Sequence, residues 1–294
     1  MDTLELQKLS LIVIKNFVDQ LGFDGRYYAV TNNCPIVFTR VAEGKFYTAK
    51  SEELAKLLSR VDNIPIEDKK KYFSSGIIAV NEGYKNKPVN IDLLSTIVHE
   101  TFHSKRMLLL NSQYKEKKKY PSVFGEGSHF VQNTDSDQDY YADASQEIIK
   151  GSIDDSTNTI EKYKNLSEKE KYRLSFEDDI YDDRLEEQVK VDEALVELMT
   201  SVSCRLYKNK LNGIDSDIFS ILNGIPNSNL HEDVKAMSRI ILRHNDLELF
   251  KWMIDPLSYQ QDYVNYDFFN NYITDEDKED VQIIKEFMFD DFEK

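Results

Sequence analysis

Apolar residues recur at helical spacing over residues 4–21, at Leu6, Leu9, Ile12, Val13, Phe17 and Leu21, and the run stops at Gly22 ahead of Asp24-Gly25. This spacing predicts a core-packing helix. Short β-prone runs follow at residues 26–31, 35–41 and 45–48, and Glu43-Gly44 between the last two predicts a hairpin turn. Residues 51–61 return to helical spacing. Residues 76–80 form a continuous apolar run, a buried or edge strand, with Asn81-Glu82-Gly83 as the turn after it.

Residues 90–110 carry the strongest helical pattern. Asn90 is placed as an N-cap, and a helical wheel puts Leu94, Ile97, Val98, Phe102, Leu108 and Leu109 on one broad arc. Thr96, His99, Glu100, His103 and Met107 fall on the other arc, so one side can be core while the other lines a cleft.

That second arc contains His99-Glu100-Thr101-Phe102-His103, an HExxH motif. On an α-helix, four residues rise about 6 Å and turn about 40° past a full circle, so both imidazoles leave one face and two nitrogens can reach one metal ion. Glu100 lies about 60° round the helix from His103, where a carboxylate can hold a water without competing for the metal. It is the expected general base. In an extended-substrate cleft the strand before this helix can pair with a peptide backbone, which makes Ile78, Ala79 and Val80 candidate substrate-binding residues. The same strand could equally complete a small sheet.

Beyond residue 110 the character changes. Residues 115–119 are a basic run, and residues 133–183 are crowded with Asp, Glu, Ser, Asn and Tyr, with helical pieces expected at 140–150 and 167–174. Residues 124–129 read as a loop, without the spacing or Lys of a phosphate loop, and His129 as a surface histidine. Helical spacing resumes at residues 184–208, 214–222, 229–244, 247–254 and 276–292. Tyr259, Tyr263, Tyr266, Phe268, Phe269 and Tyr272 form an aromatic stretch before the last of these, read as packing residues.

Zinc needs at least a third protein ligand. In the first of the later helices, Val191, Ala194, Leu195, Leu198, Met199 and Val202 build an apolar arc, while Glu193 and Glu197 stand a turn apart on the other side. Such a pair also fits the solvated face of an acidic chain; the HExxH helix makes it the preferred source of a ligand. Cys204 competes for that role and reads better as a small buried residue. HExxH at His99, Glu100 and His103, followed by Glu193 and Glu197 in an E-x-x-x-E pattern with Asp192-Glu193-Ala194 as context, resembles the gluzincin (thermolysin-like) class of zinc metallopeptidases. The resemblance implies one Zn2+ held by His99, His103 and Glu193, with Glu100 as general base. It also implies that Glu197 accepts the other ring N–H of a ligand histidine. The spacer between His103 and Glu193 is far longer than in compact members of the class.

Composition narrows the partners. Of 294 residues, 53 are acidic and 37 basic, a formal net charge of -16 that opposes nucleic acid and anionic lipid. Ten Gly and six Pro, with a hydrophobic fraction of 40%, favour long elements over a turn-rich β sandwich. The two cysteines, Cys34 and Cys204, form no CxxC pair and fit a reducing compartment. Acidic residues at the N-terminus in place of a basic leader, and no apolar run long enough to cross a bilayer, point to a cytoplasmic location, with export lacking a cleaved leader still open.

The expected fold is α+β and predominantly helical: a small N-terminal sheet, the HExxH helix, and a C-terminal helical lobe. The whole chain is expected to form one unit, with an α+β part at 1–110, an acidic insertion at 111–184 and a helical part at 185–294. The expected function is zinc-dependent hydrolysis of a peptide or protein substrate by metal-activated water. His231 is the first choice as oxyanion donor, with Tyr141 and Tyr181 as alternatives. A catalytically silent binding protein, or an effector protease with one dedicated target, are the other classes considered.

Overall fold

The computed structural model describes residues 3–23, 34–41, 44–49, 51–61, 64–85, 87–113, 183–255 and 266–286. The described chain is predominantly helical with one small sheet near the N-terminus. Helix α1 (Thr3–Gln20) is followed by strands β1 (Ile36–Thr39) and β2 (Gly44–Tyr47), helices α2 (Glu52–Arg60) and α3 (Ile66–Ser75), strand β3 (Ile77–Asn81) and helix α4 (Ile91–Gln113). After residue 182 come α5 (Asp183–Leu211), α6 (Ile218–Leu222), α7 (Glu232–His244), α8 (Glu248–Ile254), α9 (Tyr266–Tyr272) and α10 (Lys278–Glu286). Helix α3 is an element that apolar periodicity did not single out. The expected strand at 26–31, the basic run, the loop at 124–129 with His129, the pieces at 140–150 and 167–174, and Tyr259 and Tyr263 lie outside the described residues.

The sheet order is β1-β3-β2, with β3 parallel to β1 and antiparallel to β2. The hairpin expected at Glu43-Gly44 is therefore not formed: β3 lies between β1 and β2, and Gly44 belongs to β2 itself. The cause is visible in β3. Ile78 and Val80 face a layer with Leu6 of α1 and Leu93 and Ile97 of α4, while Ile77 and Ala79 face Leu54, Ala55, Leu58 and Phe73 of α2 and α3. A strand apolar on both faces is buried best in the middle of a sheet covered on both sides. Gly76 makes the sharp entry into it, at φ +73, where a side chain would also meet the Tyr47 carbonyl oxygen at 2.8 Å.

The main core joins α1, α4 and α5 with the later helices. Leu94, Ile97, Val98 and Phe102 of α4 are buried as the wheel predicted, and so are Val191, Ala194, Leu195, Leu198, Met199 and Val202 of α5. Phe17 meets the Phe102 ring edge-on at a centroid distance of 6.0 Å and the Phe250 ring at 5.4 Å, tying α1, α4 and α8 together.

Helix starts carry the expected caps in several places. The Asn90 side chain accepts the Leu93 amide at 2.9 Å, and Ser51 accepts the Leu54 amide at 3.2 Å. The helix expected at 214–222 begins only at Ile218, because Asp217 and Ser220 form a capping box there. Likewise the helix expected from 229 starts at Glu232, with His231 as its N-cap residue.

Candidate metal centre

Helices α4 and α5 run antiparallel across the core with their polar arcs facing. His99 of α4 meets Glu193 and Glu197 of α5, whereas Ser95, one turn earlier on α4, bonds Cys204, further along α5. The apolar arcs of both helices share the main core, and the two polar arcs meet beside it.

Three side chains converge where these arcs meet. His99 Nε2 and His103 Nε2 are 3.0 Å apart, His99 Nε2 is 3.0 Å from Glu193 Oε1, and His103 Nε2 is 3.1 Å from Glu193 Oε2. Neighbouring ligands in a tetrahedral shell with bonds of about 2.0–2.1 Å stand about 3.3 Å apart, so this spacing suits a shared ion. His99, His103 and Glu193 form a group that can hold a metal ion. Two imidazoles and a carboxylate are a donor set for divalent ions of intermediate softness.

Electrostatics preset the trio. Burial alone would disfavour the charged His99 ring, but the Glu193 charge, with hydrogen bonds from Glu193 and Glu197, outweighs it and holds the imidazole well above its usual range. Burial likewise works against a Glu193 carboxylate, and the two histidines overcome it and hold that carboxyl well below its usual range. The group thus already contains the charge pattern a cation would take over. Glu197 Oε2 lies 3.1 Å from His99 Nδ1, where it accepts that ring N–H, so the proton a cation would displace is the one on Nε2.

Glu100 is not one of the converging donors. It is 8% exposed, and its Oε2 accepts the backbone amide of Phe46 in β2 at 2.6 Å. Sequence spacing gave no sign of this contact, which links residues 54 positions apart.

The substrate edge expected at Ile78, Ala79 and Val80 is not available for pairing. These residues are in the central strand: Ile78 opposes Ile36 and Phe46, Ala79 opposes Val37 and Lys45, and Val80 opposes Phe38 and Gly44. A strand paired on both sides has no backbone groups left for a peptide. The strand beside the HExxH helix is instead β2, and among the described residues no strand pairs with its outer edge.

His231 is exposed at the start of α7, makes no side-chain capping bond, and is not one of the converging ligands. Two residues on, the Asp233 carboxylate is buried, and one of its oxygens has no hydrogen-bond partner. Burial raises the Asp233 carboxyl and the Glu197 charge adds to this, against its backbone bonds and His231, so the start of α7 lies within electrostatic reach of Glu197. Tyr141 and Tyr181 lie outside the described residues. Cys204 is a buried thiol pushed up to about 12 by burial and by Glu197, and it is not one of the converging donors.

Lys105 is a further departure from the sequence pattern. Two residues past His103, on a helix expected to have a polar side, it is 1% exposed, and burial pushes its ammonium down to about 7. Nothing in its spacing distinguished it from a surface lysine.

Comparison with protein-family models, with curated proteins and with solved structures finds no match to this chain.

Proposed function

We propose that this protein is a zinc-dependent peptidase of the gluzincin kind, acting on a peptide or protein substrate. The observation that carries the proposal is the convergence of His99 Nε2, His103 Nε2 and the Glu193 carboxylate at 3.0–3.1 Å, with the Glu100 carboxylate on the same helix but outside the trio. A Zn2+ ion held by these residues supplies Lewis acidity toward a scissile carbonyl and acidifies water.

The protein's own residues supply the rest. Glu193 and the two histidines bind, and Glu197 fixes the His99 tautomer by taking the proton at Nδ1. Glu100 takes a proton from the attacking water and returns it to the leaving amine, a role for which a buried carboxylate beside a metal centre is suited. An extended substrate has the outer edge of β2 to lie against.

Elemental analysis of protein purified without added zinc tests the metal. About one zinc per chain is expected, lost in a His99→Ala/Glu193→Ala double variant. Hydrolysis of casein and of a proteome-derived peptide library tests the reaction. Cleavage by wild type and none by a zinc-loaded Glu100→Gln variant supports peptidase action. Stoichiometric zinc without cleavage of any peptide returns the silent binding protein to first place.

A further inference from the structure

Gly44 lies in β2 where the strand passes closest to α4. A Cβ at this position would stand 2.4 Å from Thr96 Cγ2 and 3.4 Å from Glu100 Cγ. Thr96 has little room to yield, because a short β-branched side chain on a helix has only two favoured χ1 rotamers. Only glycine lets the strand come this close to the helix.

Two residues on, the Phe46 amide points the same way. Ile78 is the register partner of Phe46, and the Ile78 amide is given to the Pro35 carbonyl on the other side of β3, at 2.9 Å. Phe46 and Ile78 are therefore a non-hydrogen-bonded pair, and the Phe46 amide faces the outer edge of the sheet. There it donates to Glu100 Oε2 at 2.6 Å, a charge-assisted bond shielded from bulk water.

We propose that β2 is the positioning element for the acid–base carboxylate: Gly44 sets the distance between strand and helix, and the Phe46 amide holds Glu100 Oε2, leaving Oε1 to handle the proton. The role rests on the peptidase reading of the metal centre. It also restricts the substrate, because an extended peptide laid against β2 finds the Phe46 amide already taken by Glu100.

The test compares wild type with Gly44→Ala, Thr96→Ser, Gly44→Ala/Thr96→Ser and Glu100→Gln. The first readout is the proton and nitrogen shift of the Phe46 amide in metal-free protein, which needs no substrate. A downfield amide proton is expected in wild type and Thr96→Ser, moved upfield in Gly44→Ala and Glu100→Gln, and restored in the double variant that removes the obstructing methyl. The second readout is turnover at equal zinc content. In Gly44→Ala, kcat falls about 100-fold with KM changed less than about threefold, and the double variant returns to within about threefold of wild type. A Phe46 amide indifferent to Gly44→Ala or Glu100→Gln overturns the proposal. A Gly44→Ala protein with wild-type kcat does so too, as does a double variant no better than Gly44→Ala. If the amide pattern appears but wild type cleaves no peptide, the strand–helix contact stands, and its catalytic role falls together with the peptidase reading.

Discussion

Glu197 Oε2 stands 3.1 Å from His99 Nδ1, on the opposite side of the ring from the nitrogen that faces Glu193 and His103. The carboxylate therefore keeps a proton on Nδ1 and makes Nε2 the nitrogen that a bound cation would claim in exchange for its proton.

Removing this partner is expected to weaken metal binding without abolishing it. Glu197→Ala should lose about 10- to 100-fold in zinc affinity, measured by competition with a chromogenic chelator. Glu197→Gln, which can still accept the ring N–H, should lose less.

Metal removal should be visible as lost stability. A zinc ion bound at a site assembled from two helices that share the main core would favour the folded chain by about 4 kcal/mol at a free concentration near 1,000 Kd. Calorimetry with and without a chelator should show a higher midpoint for the loaded protein. Glu193→Ala protein should show no such difference.

The core side of the HExxH helix should be as demanding as the metal side. Phe102 is fully buried against Phe17, and Phe102→Ala is expected to cost about 3–5 kcal/mol in chemical denaturation. An intermediate value below about 1 kcal/mol would mean that the surrounding helices close over the gap.

A second electrostatic centre lies at α7 and α10. The fully buried Asp277 carboxylate accepts from Arg243 Nε at 2.8 Å and from the Thr274 amide at 2.8 Å, and lies 2.8 Å from His244 Nε2. Burial by itself would raise the Asp277 carboxyl, but the Thr274 amide, His244 and Arg243 outweigh it and bring it down to about 2 from an ordinary 3.8. A depressed carboxyl contributes stability that is present above its unfolded value and lost as pH falls through its folded one. Unfolding midpoints should therefore drop between about pH 4 and pH 2, and Asp277→Asn should flatten that part of the profile while lowering stability at neutral pH.

The helices around the centre were legible in the sequence because their signal is local. Apolar arcs at 3.6-residue spacing, with His99, His103, Glu193 and Glu197 on the opposite arcs, specify which sides of α4 and α5 enter the core. Asn90 announced its helix start for the same reason, since a cap is a contact between residues three apart.

The sheet was legible only as a set of strands. Partner choice depends on burial of both faces of β3 by helices far away in sequence, and this put Ile78, Ala79 and Val80 in the central strand with β1 and β2 as the outer strands among the described residues. The burial of Lys105 and the amide that holds Glu100 are decided in the same way, by which elements arrive alongside α4. By itself the sequence determined the donor set and the two helical faces that carry it, because periodicity is a property of neighbours along the chain. The tertiary structure alone decided which backbone reaches Glu100, because the approach of Gly44 to Thr96 is set by packing across the fold and leaves no trace in spacing.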